Sequence, residues 1–214
     1  MIIAIDGPAG SGKTTVARLL AKRLGISYLD TGAIYRVLTY LALERKIGAW
    51  DEEALTELAK ILNLDLKGSE VYLDGVDLSE KIRTPQIDKS ISAVVSHPEV
   101  RKVIVELQRK IVEKGDFVVE GRDITTVVFP DTEYKFYLDA DPNIRAERRS
   151  KELQTKGVSI ELSEVQEDLE KRDYADKNRE VGALKKAPDA FFIDTSNLTI
   201  EQSVEEIAKH IQVK

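Results

Sequence analysis

A glycine-rich segment near the start of the chain has the residue types and spacing needed to bind a polyphosphate. The pattern G-x-x-x-x-G-K-[ST] is matched by Gly7-Pro8-Ala9-Gly10-Ser11-Gly12-Lys13-Thr14, between a strand-like apolar run and a helical pattern. Glycines let successive backbone N–H groups point inward at phosphate oxygens, and the helix that follows adds partial positive charge at its N-terminus. Lys13 would reach the β and γ phosphates of a nucleoside triphosphate, and the Thr14 hydroxyl would ligate Mg²⁺ directly.

Other charged residues could bind an acceptor phosphate or neutralise a transferred one. Arg36 follows the second strand candidate, and Arg122 lies two residues beyond the third, at the carboxyl end where open α/β sheets bind ligands. A guanidinium pairs with phosphate through two parallel hydrogen bonds. Glu120, at the end of a strand, would hold Mg²⁺ through water. A stretch that could fold over the site as a lid is flanked by Arg148, Arg149, Arg172 and Arg179.

The elements that must position these residues alternate between strands and helices, which predicts the α/β fold of a P-loop NTPase core: a five-stranded parallel sheet flanked by helices. The predicted strands are 2–5, 27–30, 117–120, 134–138 and 190–194. The predicted helices are about 14–24, 32–45, 98–115 and 163–173, with others beginning near residues 51, 142 and 199. Capping boxes are predicted at Ser163 with Gln166 and at Thr199 with Gln202. Asp74-Gly75 between two apolar runs predicts a β-hairpin in an inserted subdomain.

The composition excludes several classes of protein. The 214 residues are 42% apolar and 33% charged, as in a globular domain. A net charge of −6 argues against a general nucleic-acid binder. The absence of cysteine excludes disulfides, thiol catalysis and thiolate metal sites. The start is too short for a signal peptide, and no window approaches the ~18 apolar residues of a membrane span, so we expect a cytoplasmic protein without a membrane partner.

The phosphate-binding motif serves GTPases, motors, transporters and small-molecule kinases alike. The N-K-x-D motif usual in guanine-specific GTPases is missing from the sequence. The length and a pI of about 5.2 disfavour a helicase or a large motor. The residues on their own therefore predict a small P-loop kinase, and they do not reveal its acceptor.

The motifs taken together resemble bacterial cytidylate kinases of the nucleoside monophosphate kinase group, over nearly the whole chain. The most specific are Asp30-Thr31-Gly32-Ala33-Ile34-Tyr35-Arg36 and Glu120-Gly121-Arg122-Asp123. The others are Ile5-Asp6-Gly7-Pro8, Ile82-Arg83-Thr84, Thr126-Val127-Val128-Phe129-Pro130 and Arg172-Asp173. The resemblance implies one kinase domain over 1–214. Its parts would be a core (about 1–50, 94–145 and 181–214), a CMP-binding insertion (about 51–93) and a helical lid (about 146–180).

The resemblance also implies an activity and a monomeric enzyme of pyrimidine metabolism. The γ-phosphoryl group of ATP would pass to CMP or dCMP, giving CDP or dCDP and ADP, with Mg²⁺ as the metal. ATP would be bound by residues 7–15, from Gly7 to Thr15. The catalytic cations would be Lys13, Arg122, Arg172 and Arg179, with Arg148 assisting. The CMP phosphate would be held by Arg36, Arg122 and Arg179, the cytosine by Ser92, Arg101 and Asp123, and the sugar by Arg172 and Asp176, with Thr31 lining the pocket.

Two positions depart from the commonest family pattern, and two alternative functions stay open. Many members have Asp where this chain has Glu120, and many have Gly where it has Thr125, whose side chain restricts the backbone. The first alternative is a P-loop kinase with another acceptor, such as UMP, dTMP or a small metabolite. The second is a nucleotide-dependent regulator or adaptor that hydrolyses ATP slowly.

Overall fold

The structure is a computed structural model that describes residues 1–68, 70–155 and 157–212. Its strands are β1 Ile2–Asp6, β2 Ser27–Asp30, β3 Leu64–Lys67, β4 Glu70–Leu73, β5 Val76–Asp77, β6 Phe117–Gly121, β7 Tyr134–Asp139 and β8 Phe191–Asp194. Its helices are α1 Lys13–Leu24, α2 Thr31–Glu44, α3 Glu52–Lys60, α4 Pro85–Val94, α5 Pro98–Val112, α6 Pro142–Thr155, α7 Leu162–Asn178 and α8 Ile200–Ala208. Strands and helices thus alternate through most of the chain.

A parallel sheet with the strand order β2-β6-β1-β7-β8 forms the centre of the molecule. Its central strands are continuous apolar runs because helices cover both faces. Ile3 and Ile5 of β1 pack on one face against α1 and α8. Ala4, on the other face, belongs to a core shared with α2, α3 and α5. The predicted fold class and all five predicted strands of this sheet are confirmed.

A smaller antiparallel sheet, β3-β4-β5, carries the predicted hairpin. Asp74 and Gly75 form its turn with φ of 50° and 81°, which is the left-handed geometry that a two-residue hairpin turn requires. Val71 and Leu78 join the core formed by α2, α3 and α5. Strand β3 was not predicted, because its four residues are too few for a clear alternation, and neither was the helix α4, which begins after the cap Thr84.

The helix caps are partly as predicted. Thr199 and Gln202 form the predicted capping box at the start of α8. The capping box predicted at Ser163 is wrong, because α7 already begins at Leu162 and has no side-chain cap. The side chain of Gln166 instead donates to Asn143 Oδ1 on α6, at 3.1 Å. Contacts between α6 and α7 make a helical pair that is longer than predicted, since α7 continues to Asn178.

No helix within the described residues is both long enough and apolar enough to cross a membrane. The longest of them, α7, has strongly charged surfaces and buries few of its side chains. The helices instead pack on the sheet or on one another.

Candidate active site

The glycine-rich loop connects the carboxyl end of β1 to the start of α1. Gly10 and Gly12 have φ of 78° and 84°, a conformation that favours glycine. A Cβ on Gly10 would lie 2.8 Å from the carbonyl oxygen of Arg145, so the loop also packs too closely for a side chain there. The Ser11 hydroxyl is buried without a hydrogen-bond partner among the described residues. A buried unpaired donor in a loop of this shape suits a phosphate oxygen.

Lys13 is buried at the start of α1, beside this loop. Its Nζ donates to the carbonyl oxygen of Pro8 at 3.1 Å and lies 3.9 Å from Glu120 Oε2. Burial, reinforced by the neighbouring Arg122 guanidinium, lowers the pKa of Lys13 from 10.5 to about 7. The guanidinium groups of Arg122 and Arg172 beside Lys13 favour the binding of an anion at this position.

Glu120, near the end of β6, accepts hydrogen bonds from hydroxyl groups on three elements, α1, β2 and α2. Thr14 Oγ1 and Tyr28 OH both donate to Glu120 Oε1, at 2.7 Å and 3.1 Å. Thr31 Oγ1 donates to the Glu120 carbonyl oxygen at 2.7 Å. Burial and the nearby Asp30 raise the pKa of Glu120 above its ordinary value, against the opposing charge of Lys13. The hydroxyl of Thr14 and the carboxylate of Glu120 are the oxygen donors that Mg²⁺ prefers, so these residues fit that ion.

Three of the predicted arginines come together around Asp176. Arg122 Nε donates to Asp176 Oδ2 at 2.7 Å, and Arg179 donates to the other carboxylate oxygen. Burial opposes the ionisation of Asp176, but Arg122 and Arg179 outweigh it and hold its pKa below the ordinary value. Arg172 has neither a hydrogen bond nor an ion pair within the described part of the chain. Burial and the neighbouring Arg122 lower the pKa of Arg172 to about 10.

Arg36 and Arg148 have partners other than Asp176 among the described residues, although Arg36 lies close enough to Arg172 to lower its pKa. Arg36 donates to Asp88 Oδ1 at 2.6 Å, and Arg149 donates to Asp88 Oδ2 at 2.8 Å, so one carboxylate of α4 joins α2 to α6. Asp88 was not among the residues predicted for the site. Arg148 donates to the carbonyl oxygen of Thr195 at 2.6 Å. Thr195 in turn contacts the glycine-rich loop, which puts Arg148 beside the loop rather than beside Asp176.

The residues predicted to read a base form a buried polar cluster near α5. Arg101 donates to Asp123 Oδ2, and its guanidinium lies over the ring of Tyr35 at 5.5 Å from the centroid. Arg101 Nε is buried without a partner in the ranges that the structure covers, and the Tyr35 hydroxyl interacts with the Gln108 side chain beside it. A buried unpaired donor such as Arg101 Nε fits a polar ligand. Ser92 is half-buried on α4, and no hydrogen bond among the described residues joins it to Arg101 or Asp123.

Gly182 covers this ion pair from the segment after α7. Its φ is +70°, and a Cβ there would overlap both Arg101 Nη2 and Asp123 Oδ2. Arg179 Nη1 donates to the Gly182 carbonyl oxygen at 3.4 Å, which ties the same segment to the arginine cluster. The sequence offers no signal for this glycine, because the groups that it contacts are about sixty to eighty residues away.

Comparisons with known proteins agree with the motifs and the geometry. The family pattern described as Cytidylate kinase matches residues 3–213. A cytidylate kinase of Clostridioides difficile (strain 630) is 46% identical over 213 residues, covering 100% of this chain and 99% of the relative. One from Caldanaerobacter subterraneus subsp. tengcongensis is 47% identical over 210 residues, covering 98% and 94%. A crystal structure of an uncharacterized protein from Eubacterium ventriosum ATCC 27560 shares the fold, with a TM-score of 0.56, 16% identity and coverage of 100% and 99%. The resemblance is thereby confirmed, and this chain belongs to the cytidylate kinase family.

Proposed function

We propose that this protein transfers the γ-phosphoryl group of ATP to CMP or dCMP, giving ADP and CDP or dCDP. The observation that carries the proposal is the cluster of Lys13, Arg122 and Arg172. Arg122 lies close enough to the other two side chains to lower the pKa of both, and Arg172 also lowers the pKa of Lys13. Within the described residues, their positive charge exceeds what Glu120 and Asp176 neutralise, and a transferred phosphoryl group supplies the missing negative charge.

The donor half of the reaction belongs to the glycine-rich loop. Residues 7–15 bind the phosphates of ATP through backbone N–H groups, with Lys13 on the β and γ phosphates. When bound, Mg²⁺ neutralises part of the phosphate charge; Thr14 would be its direct ligand and Glu120 would hold it through water. The acceptor phosphate is a competent nucleophile as a dianion, so the reaction needs positioning and charge neutralisation rather than a general base.

The acceptor half is built from the arginine cluster and the buried polar cluster. Arg36, Arg122 and Arg179 hold the CMP phosphate. Arg172 and Asp176 contact the sugar, and Asp176 also orients the guanidinium groups of Arg122 and Arg179. Arg172 and Arg179, on or beside α7, neutralise the transferred group, and Arg148 contributes from the loop side. Thr31 lines the pocket, with its hydroxyl fixing the backbone of Glu120.

The proposed base pocket complements the hydrogen-bonding edge of cytosine. Cytosine presents an amine donor beside acceptors at N3 and O2. The Asp123 carboxylate accepts from the amine, Arg101 donates to the acceptors, and Ser92 adds a hydroxyl. Uracil carries a carbonyl oxygen in place of the amine, so a buried carboxylate repels it.

The division into core, insertion and lid remains part of this proposal. The insertion (about 51–93) contains β3-β4-β5 and α4, and the lid (about 146–180) contains most of α6 and α7. We also propose a monomer that acts on free nucleotides in the cytoplasm, without a nucleic-acid or membrane partner. The net charge of −6 supports the absence of a nucleic-acid partner.

Glu120→Gln should raise the Mg²⁺ concentration needed for half-maximal activity by about 10-fold, because outer ligands typically contribute 10- to 100-fold to metal affinity. A titration of Mg²⁺ at fixed ATP and CMP measures this. Tyr28→Phe, which removes one donor from Glu120 but keeps its charge, should shift the requirement less. An unchanged requirement in Glu120→Gln would remove Glu120 from the proposed metal site.

Gly182→Ala should raise the KM for CMP by about 10-fold and leave the KM for ATP unchanged, because the added Cβ overpacks the Arg101–Asp123 pair at a typical cost of ~1–3 kcal/mol. Gly25→Ala is the matched control, since Gly25 has a φ of +67° but nothing within 4 Å of an added methyl group. Equal effects of both substitutions on the KM for CMP would show backbone strain rather than contact with the base pocket.

The proposal is tested by following Mg²⁺–ATP and CMP with ³¹P NMR. Signals of ADP and CDP should grow together in equal amounts. With ATP alone, the spectrum should change far more slowly. Formation of ADP and inorganic phosphate, independent of CMP, would favour the alternative of a slow ATPase that acts as a regulator.

A further inference from the structure

Asp6, the last residue of β1, is a fully buried acid with a role that the reaction does not explain. Its Oδ1 accepts the backbone N–H of Ile124 at 2.8 Å. Its Oδ2 accepts both the backbone N–H of Thr125 at 2.8 Å and the Thr125 hydroxyl at 2.6 Å. The carboxylate is therefore fully engaged with one short segment that is more than a hundred residues away in the sequence.

That segment is a π-helical turn, Ile124–Val128, which the sequence analysis did not predict. It begins directly after Asp123, whose carbonyl oxygen accepts the N–H groups of Val127 and Val128 at 2.8 Å and 3.1 Å. The other end of the turn is held by Arg109 of α5, which donates to the carbonyl oxygens of Val127 and Val128. A carboxylate thus meets the free N–H groups of the turn and a guanidinium meets its free carbonyls, which is the favourable arrangement at both ends.

Asp6 lies between the ATP-binding loop and the segment that carries Arg122 and Asp123. The next residue, Gly7, starts the glycine-rich loop, and Asp6 lies beside Gly121 in the sheet register. The carboxylate thus joins the start of the ATP loop to the segment that carries Arg122 and Asp123. We propose that Asp6 is a positioning residue that fixes Arg122 and Asp123 relative to the ATP loop, with the Thr125 hydroxyl as its second anchor. The roles of Arg122 and Asp123 in this statement rest on the proposed function.

The chemistry of the contact makes it sensitive to small changes. Burial raises the pKa of Asp6 to about 6, against the hydrogen bonds from Thr125 and Ile124, so the group is ionised under neutral assay conditions. An asparagine of the same shape has one acceptor oxygen and one NH₂ group. That NH₂ group would face the N–H of Ile124 or of Thr125, so one donor would lose its partner.

Asp6→Asn should raise the KM for CMP by about 10- to 100-fold, the range that corresponds to one buried donor left without its partner, while the KM for ATP changes little. The preference for CMP over UMP, measured as a ratio of kcat/KM values, should fall as well. Because Asp6→Asn could destabilise the fold, Thr125→Val is the second variant. It removes a single hydrogen bond and should raise the KM for CMP by about 5-fold. Thr125→Ser should restore the wild-type value.

Thr132→Val is the matched control, because the Thr132 hydroxyl also bonds to β1, at Ile2 O and therefore at the opposite end of the strand. Thr132→Val should lower thermal stability by an amount similar to Thr125→Val. Unlike Thr125→Val, it should leave the KM for CMP unchanged. Equal KM values for CMP in Thr125→Val, Thr132→Val and the wild type would overturn the inference. A loss of stability in Asp6→Asn with unchanged KM values and an unchanged CMP-to-UMP ratio would also overturn it. Failure of the wild type to phosphorylate CMP would instead contradict the proposed function.

Discussion

Lys13→Ala is expected to lower kcat for CMP phosphorylation by about 10²- to 10³-fold, as the loss of one preorganised charge-stabilising group typically does. Lys13 is the buried ammonium at the start of α1, between the loop carbonyl of Pro8 and the carboxylate of Glu120. The negative charge that develops during transfer would lose its nearest cation in a site with little water to replace it. The initial rate of ADP formation at saturating ATP and CMP measures the effect.

The control for this substitution lies on the same helix. Lys22 is exposed near the end of α1, and Lys22→Ala should leave kcat unchanged. Circular dichroism should show that both variants are folded, since Lys13→Ala also leaves the buried Glu120 without its ammonium partner. A folded Lys13→Ala variant with near-normal kcat would contradict the assignment of the glycine-rich loop to ATP.

Asp123→Asn is expected to lower the preference for CMP over UMP by about 10²-fold or more. A site that accepts a hydrogen bond from a substrate amine rejects analogues without that amine strongly, and this rejection requires the buried acceptor, here the Asp123 carboxylate. Asp123 is buried and accepts from Arg101, so an amide there removes the charge that repels a uracil carbonyl. The ratio of kcat/KM values for CMP and UMP measures the preference. The KM for ATP should stay near its wild-type value, because the substituted group lies in the acceptor pocket.

A matched amide substitution separates base reading from general loss of a carboxylate. Asp65 is exposed on β3 and paired with Lys67. The substitution Asp65→Asn should therefore leave the substrate preference unchanged. Asp123→Asn should also lower thermal stability, since it leaves Arg101 buried beside a weaker partner. Should the CMP preference survive Asp123→Asn intact, another group must read the base.

The parts of the fold that the sequence predicted are those with a local signal. Buried parallel strands appear as apolar runs, and Asp74-Gly75 needs its left-handed turn wherever it occurs. The π-helical turn had no such signal, because it is held by Asp6 and Arg109 from distant elements. Ser163 failed as a cap because the cap position of α7 is Glu161, two residues earlier, and Ser163 lies inside the helix.

In the candidate site, too, the residues with a local sequence signal were predictable and those brought together by distant contacts were not. Lys13, Glu120 and Arg122 were predictable, because parallel strands bring their carboxyl ends to one edge of the sheet. The convergence of Arg172 with them needed the path of α7 across the site, which the resemblance implied and the residues alone did not. Contacts such as Asp88 with Arg36 form between residues about fifty positions apart, and a single sequence carries no mark of them.

The proposed activity is tested by measuring the kcat/KM of the wild-type protein for a panel of acceptors at saturating Mg²⁺–ATP. The panel contains CMP, dCMP, UMP, dTMP, AMP and GMP, with a reaction lacking acceptor as the baseline. The kcat/KM values for CMP and dCMP should exceed those for every other acceptor by at least about 10²-fold, the discrimination expected of a buried polar base pocket. Equal or better turnover with UMP, dTMP or a purine nucleotide would contradict the assignment of Arg101 and Asp123 to cytosine. Turnover at the baseline rate with every acceptor would contradict the kinase itself.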